Sequence, residues 1–295
     1  MITNALTVDL EEYFQVSNFE RVIDRARWDA LPSRVADATK RLLDLFDHTG
    51  HRATFFSLGW VAERQPTLLR EIAGRGHEIA CHGHEHDLVY ALGPERFRAD
   101  LRRSRRALEQ AVGAPVVGYR APSYSVTRAS LWALDVLAEE GFRFDSSIFP
   151  TRHPRYGIPG FVREPVRLVL PGGASLAEFP LTTLPLGPVA LPLAGGAYLR
   201  FLPPALFRAG FGRLVRRGTP TILYLHPWEV DPDQPRQPVG WRVRLNHYFG
   251  LAQVEGRLRA LLERFAFAPV GEVLRSLEDA GRLPALSLDR ALGGG

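Results

Sequence analysis

The sequence predicts an α/β fold, a (β/α) barrel of about seven strands, on three observations. Short apolar runs alternate with longer helical periodicities from the start of the chain to about residue 150, and again beyond residue 200, the pattern of parallel βα units. Five of the apolar runs lead directly into ionisable residues, as expected of a barrel whose chemistry sits at the C-terminal ends of its strands. A chain of 295 residues accommodates one such barrel with a decorated rim.

The elements follow in order. Ala5-Leu6-Thr7-Val8-Asp9 reads as a short buried strand ending in carboxylates, and residues 32–49 carry Val35, Ala38, Leu42, Leu45 and Phe46 at helical spacing before Gly50. Residues 53–56 form the next strand, 61–73 a helix, and 78–80 a strand that runs into a histidine cluster. A helix over 94–112, a strand over 116–119, a helix over 128–140 and a strand over 142–144 complete the first half. Residues from about 150 to 200 are rich in Pro and Gly and read as an inserted hairpin or loop excursion. The alternation resumes with a helix at 204–217, a strand at 221–225, a helix at 252–264, a strand near Phe267 and a helix at 270–280. Residues 1–292 are thus expected to form a single domain and 293–295 a flexible tail.

Composition removes several classes. Lys and Arg number 37 against 32 Asp and Glu, a formal charge of +5, and the pI is near 9.7. The arginines are spread along the chain, and the densest group (Arg102, Arg103, Arg105, Arg106) falls on a helical stretch as a solvated face, so no nucleic-acid partner is indicated. One cysteine, Cys81, excludes an intramolecular disulfide framework and a multi-cysteine zinc site. It reads as a small buried residue that ends a strand. No apolar run reaches the ~18 residues of a membrane span, and the first residues lack the basic and apolar regions of a signal peptide. The expectation is a cytoplasmic protein, or one peripheral to the envelope, without an integral membrane segment.

The strand ends carry the chemistry. His82 and His86 are four apart, so in a helical turn both imidazoles face the same way and can share one metal ion, with His84 pointing elsewhere. Asp9 and Glu11 project to the same side of an extended strand; one would bind the metal and the other act as general base, in an open set suited to a catalytic divalent ion. His226, after Leu225, is placed as a general acid that a neighbouring Asp keeps protonated. Arg120 is placed to orient the base carboxylate through a bidentate contact.

Five blocks in order resemble those of the polysaccharide deacetylases, carbohydrate esterase family four: Thr7-Val8-Asp9-Leu10-Glu11-Glu12, His82-Gly83-His84-Glu85-His86, Arg120-Ala121-Pro122-Ser123-Tyr124, Asp145-Ser146-Ser147-Ile148-Phe149-Pro150, and Leu225-His226. The resemblance implies a distorted (β/α) barrel. It makes Asp9 the base and Glu11, His82 and His86 the ligands of a divalent metal, most simply Zn²⁺, with Glu12 the competing carboxylate. Arg120 would support the base, Asp145 would pair with the catalytic His226, and Pro122, Tyr124 and Trp228 would line the substrate groove. Val8 to Phe14, His226 to Pro232 and Asn246-His247-Tyr248 are similar to the subgroup encoded with exosortase-linked exopolysaccharide clusters.

The implied reaction is metal-assisted hydrolysis of an N-acetyl group on an N-acetylhexosamine unit of a bacterial polysaccharide or its precursor, with release of acetate. The oxyanion would meet the metal and a backbone N–H, that of Tyr124, while Trp228, Tyr124 and Trp241 would stack on sugar rings. The alternatives are an amidohydrolase acting on a small cyclic amide with the same metal site, and a carbohydrate-binding relative without turnover. Oligomeric state is not legible.

Overall fold

The computed structural model describes residues 3–187 and 189–293. Its strands are β1 (Asn4–Leu10), β2 (Thr54–Ser57), β3 (Glu78–Cys81), β4 (Gly118–Tyr119), β5 (Phe144–Asp145), β6 (Val166–Val169), β7 (Ser175–Glu178), β8 (Thr183–Leu186), β9 (Val189–Pro192), β10 (Ile222–Leu225), β11 (Phe267–Ala268) and β12 (Ala285–Ser287). The main sheet runs β10-β1-β2-β3-β4-β5-β7-β6-β12, and β11 also pairs with β1. Each neighbouring pair from β10 to β7 is parallel, which gives seven parallel staves. The principal helices, Val35–Thr49, Pro66–Gly74, Pro94–Val112, Trp132–Glu139, Pro204–Arg216, Leu251–Leu262 and Val270–Asp279, fall between strands as the alternation predicts. Two expected elements are altered: residues 61–73 divide into Gly59–Arg64 and Pro66–Gly74 because Pro66 restarts the helix, and 128–140 begins with a 3-10 turn.

The stretch expected as an excursion is more integral than its composition suggested. Its glycines mark the turns, but β7 pairs with β5 and forms a stave, β6 folds back antiparallel on β7, and β12 adds to β6. Leu168, Leu176, Phe179 and Leu181 are buried. Among the described residues, only β8 and β9 form a separate two-stranded sheet. Of the Gly-rich tail, Gly293 is described and the last two residues lie outside the described residues. No helix among the described residues is long and apolar enough to cross a membrane.

The ring closes without a continuous ladder. Along the open edge of β10, the Ile222 N–H donates to Thr182 Oγ1 at 2.7 Å, the Tyr224 N–H to the Ala194 carbonyl at 2.6 Å, and the Gly196 N–H to the Tyr224 carbonyl at 3.1 Å. The chain passes so close that a Cβ on Gly195, at φ +123°, would sit 2.0 Å from the Tyr224 carbonyl oxygen. Only glycine satisfies both the backbone angle and the space.

Strand parity then sorts the side chains. Successive residues alternate between the two faces of a strand. In β1, Leu6, Val8 and Leu10 join the layer beneath the helices, and Ala5 joins the cluster inside the ring. The same division separates Phe55 from Phe56, Ile79 and Cys81 from Ala80, and Leu223 and Leu225 from Ile222 and Tyr224. Cys81 meets Ser104 Oγ at 3.3 Å under the helix Pro94–Val112, as its reading as a buried strand residue requires. By the same alternation the inward residues at the rim are Asp9, next to last in β1, and His82 and His226, one residue past β3 and β10.

His77 illustrates how the helix layer responds to acid. Its Nδ1 accepts the Ala53 N–H at 3.0 Å, and Phe46 and Phe55 meet the ring edge-on. Burial lowers its pKa to about 4. Because the folded value lies below the unfolded one, the stability this neutral ring contributes is present above pH ~6.5 and is lost as the pH falls towards 4. His77→Asn keeps an acceptor for Ala53 but cannot titrate there. Urea denaturation should therefore show a smaller loss of stability between pH 7 and 4.5 in the variant, by about 2 kcal/mol. Equal losses in the two proteins would contradict this role.

Candidate metal-centred active site

Glu11, His82 and His86 present ligand atoms that all lie within 4.8 Å of one another, and all three residues are buried. His82 Nδ1 lies 2.8 Å from the Arg120 carbonyl oxygen. A carbonyl only accepts, so Nδ1 carries the proton and Nε2 keeps a free lone pair, the outer hydrogen bond typical of a metal-ligating histidine. His86 Nε2 and Glu11 Oε2 are 3.1 Å apart, a separation that suits two ligands of one ion. Burial holds His82 down at about pKa 4. Burial raises Glu11, but His86, His226 and His82 outweigh it and bring it to about 2. A neutral imidazole and an ionised carboxylate are the forms a divalent cation needs, so the residues present fit such an ion.

The local conformation differs from the expected helical turn. Residues 82–87 follow β3 as an irregular loop, with Gly83 at φ +76° and His86 at φ +59°. A Cβ on Gly83 would approach Asp100 Oδ2 to 3.1 Å, and Asp100 accepts the His84 N–H. The left-handed backbone at His86, uncommon for a residue with a Cβ, brings its imidazole back beside His82, with ring centroids 5.7 Å apart. His84 is buried against Gly59, away from this cluster, with its Nε2 3.6 Å from Glu63.

Asp9 and His226 flank the three. Arg120 Nη1 donates to Asp9 Oδ1 at 2.7 Å and to Thr7 Oγ1 at 2.9 Å, while its Nε and Nη2 bond the Ser146 carbonyl and hydroxyl. The Tyr124 hydroxyl lies 3.4 Å from Asp9 Oδ2. The contact between Arg120 and Asp9 is thus single, not bidentate, because the other guanidinium nitrogens hold Ser146. His226 Nε2 lies 3.6 Å from Glu11 Oε1 and 3.9 Å from Asp9 Oδ2.

The partner of His226 is Glu229, not Asp145. His226 Nδ1 and Glu229 Oε2 are 3.0 Å apart, and Arg200 Nε donates to the other Glu229 oxygen at 2.8 Å. Burial opposes a charge on His226, but the Glu229 hydrogen bond and the fields of Glu11, Glu229 and Asp9 raise its pKa to about 9. Asp145 fails to reach it because of parity: Phe144 points into the ring, so Asp145 points out, opposite Glu178 in the β5–β7 register. There it accepts the Ser147 hydroxyl, and Ser147 in turn accepts the Ala121 N–H. Burial raises Asp145 to about 6 and, with the Asp145 charge beside it, raises Glu178 well above the usual range.

Three other expectations change. Glu12 accepts from the Ser33 hydroxyl and the Arg34 and Val35 N–H groups, capping the helix Val35–Thr49; it belongs to that helix and not to the metal cluster. The Tyr124 N–H donates to the Ala121 carbonyl at 3.0 Å, so it is already engaged and does not face an oxyanion. Pro122 packs against Gly83 behind the loop. The cavity itself, about 170 Å³, is lined by Asp9, Glu11, His82, His86, Tyr124, His226 and Trp228, among others. Trp228 is buried and stacks between His226 and His247, at 4.9 and 4.2 Å. Trp241 is 70% exposed and lies outside the cavity wall.

Glu229, Arg200 and Glu178 have no role in the sequence reading, where Glu229 figures only within the stretch that follows Leu225. Glu229 had a local signal, since it stands three residues after His226 across Pro227 and its carboxylate also accepts the His226 N–H, a capping-box arrangement. Arg200 and Glu178 had none, because each meets its partner only through the tertiary fold.

Residues 27–143 match the family model described as Polysaccharide deacetylase, and residues 146–275 one described as Domain of unknown function (DUF3473). A peptidoglycan deacetylase-like protein of Gibberella zeae is 31% identical over 110 residues, covering 37% of this chain and 32% of that protein. A chitooligosaccharide deacetylase of Sinorhizobium fredii is 29% identical over 142 residues, covering 47% and 64%. The match thus spans about one third to two thirds of these relatives' own lengths. A Mycobacterium smegmatis structure provisionally named a polysaccharide deacetylase shares the fold, with a TM-score of 0.67 at 23% identity over 96% of this chain and 92% of that one. The likeness to the polysaccharide deacetylase model is thus confined to residues 27–143, and the solved structure extends the likeness of fold to nearly the whole chain.

The His226 pair yields a titration test on metal-free protein. A folded pKa of about 9 means that the stability it contributes is complete below pH ~6.5 and is lost as the pH rises towards 9. Glu229→Gln removes the charge that holds the proton, so an NMR titration should find the His226 pKa lowered by about one unit or more. An unchanged value would remove Glu229 from this role.

Proposed function

We propose that the chain hydrolyses N-acetyl groups on N-acetylhexosamine units of a bacterial polysaccharide or its precursor, releasing acetate. The observation that carries this reading is the placement of Asp9 and His226 on either side of Glu11, His82 and His86 in one cavity, each oriented by its own buried arginine, directly for Asp9 and through Glu229 for His226. Two nitrogens and one oxygen suit Zn²⁺ with positions left open. When bound, the ion supplies Lewis-acid polarisation of the acetyl carbonyl and favours ionisation of the attacking water.

The chain's own residues perform the proton transfers. Asp9, its Oδ1 fixed by Arg120, takes the proton of the attacking water. His226, charged near neutral pH and held through Nδ1 by Glu229, delivers a proton from Nε2 to the leaving amine. A cavity of about 170 Å³ suits an acetamido group, with the sugar at the mouth. The likeness of residues 8–14 and 226–232 to the exopolysaccharide-associated subgroup supports an exopolysaccharide as the polymer. Several of these residues have packing duties here, since Tyr13 and Phe14 are core residues and Asp231 pairs with Arg34.

Acetate release from a panel of N-acetylated glycans is the test. Asp9→Asn, which keeps an acceptor for Arg120, and His226→Ala should each lower kcat by about 10²–10⁴-fold, in protein that circular dichroism shows to be folded at the assay temperature. Parental rates in either variant would remove its residue from the mechanism. Elemental analysis should find a divalent metal in the parent and little in His82→Ala. Chelation should abolish acetate release and Zn²⁺ should restore it, whereas full activity in thoroughly chelated protein would overturn the metal assignment. Hydrolysis of small cyclic amides with no acetate released would favour the amidohydrolase reading.

A further inference from the structure

We infer that the face formed by the helix Trp241–Tyr248 and the neighbouring Phe201 docks on an anionic lipid surface. Five of the large apolar side chains exposed among the described residues fall between 201 and 249: Phe201, Leu206, Trp241, Leu245 and Phe249, with Trp241 at 70%. Four of the five gather together. Trp241 and Leu245 are one turn apart on the same helix face, Phe249 follows at the helix end, and the Phe249 and Phe201 rings stack with centroids 4.9 Å apart.

The helix is built inside out only on that side. His247 is buried between Phe19 and Trp228, and Val243 packs against the core, so the opposite face carries Trp241 and Leu245 into solvent. Arg242 and Arg244 flank that apolar line, one on each side at 100° per residue. An exposed patch of aromatic and aliphatic side chains edged by arginines suits a membrane interface, where rings enter the headgroup layer and guanidinium groups meet lipid phosphates.

Charge selects the occupant. From 201 to 249 the chain holds seven arginines and three carboxylates. Of those carboxylates, Glu229 is buried on Arg200 and Asp231 is buried on Arg34, which leaves Asp233 at the surface. Arg236, Arg242 and Arg244 have no carboxylate within salt-bridge distance among the described residues. The face is therefore apolar and cationic together, which complements anionic headgroups over an acyl layer and repels a second copy of itself. Its position adds a consequence: Asn246 on the same helix, and Arg200 next to Phe201, line the catalytic cavity. A bilayer seated on this face would lie beside the cavity mouth.

The test is co-sedimentation of the full chain with vesicles of phosphatidylglycerol and phosphatidylcholine, compared with phosphatidylcholine alone. The parent should bind the anionic vesicles and not the neutral ones. Trp241→Ser with Leu245→Ser, and separately Arg242→Gln with Arg244→Gln, should each weaken binding about tenfold or more. Both double variants should keep the parent's melting temperature and its turnover of a soluble N-acetylated oligosaccharide. Absence of vesicle binding by the parent would overturn the inference, as would undiminished binding by both variants. So would a parent dimer that the Ser variant converts to monomer without any effect of lipid, or a rise in KM for the soluble oligosaccharide that shows the face to be a sugar platform. Failure of the deacetylase reading leaves the vesicle result untouched, so the two are separable.

Discussion

Inside the ring Arg120 carries a permanent positive charge with no exposure to water, and the arrangement around it follows from what that charge requires. Its guanidinium lies over the Phe56 ring at 4.1 Å and spends its donors on Asp9, Thr7 and the carbonyl and hydroxyl of Ser146. Its own carbonyl receives the His82 ring nitrogen. One residue therefore fixes the Asp9 carboxylate through its side chain and the His82 imidazole through its backbone. Removing one member of such a buried ion pair typically costs about 3–5 kcal/mol, because the other charge is left without water or a partner. The geometry around Asp9 and His82 and the integrity of this part of the ring are consequently the same problem for the chain.

The second organising constraint is the alternation of side chains along short strands. It places Asp9, His82 and His226 on the inner side and consigns Cys81, Tyr119 and Asp145 to the outer one. Glu178 sits opposite Asp145 by register, so the outer layer behind Arg120 sets two buried carboxyls side by side where a hydrophobic pair would ordinarily pack. Burial disfavours a charge on either, and the pKa of each is raised.

The strand ends were legible because they couple two local signals, an apolar run and the polar residues that follow it. Asp9, Glu11, His82, His86, Arg120 and His226 were all found in this way; the structure brings five of them to the wall of one cavity and sets Arg120 behind it, bonded to Asp9. The misreadings share a different cause. Asp145 was assigned by position in a motif, whereas its direction depends on which residue of a two-residue strand points inward. The turn at 82–86 was read as helical from spacing alone, although Gly83 and His86 adopt left-handed angles that spacing does not reveal. Arg200 stands 29 residues from Glu229, on a short helix whose placement depends on the closing strap, and no periodicity encodes that contact. The helix Trp241–Tyr248 was missed because its apolar residues face outward, where an amphipathic pattern gives no hint of a core.

The closing strap has a consequence for how the two halves of the cavity share rigidity. Asp9 and His82 extend from strands hydrogen-bonded on both sides, whereas the Arg200 that steadies Glu229 follows directly on the few main-chain bonds between residues 194–196 and Tyr224. Segments held by few backbone bonds open at lower free energy than continuous ladders. Amide exchange should accordingly be asymmetric across the cavity, so that the wall carrying Arg200 and Glu229 breathes on its own while the wall carrying Asp9 and His82 stays closed.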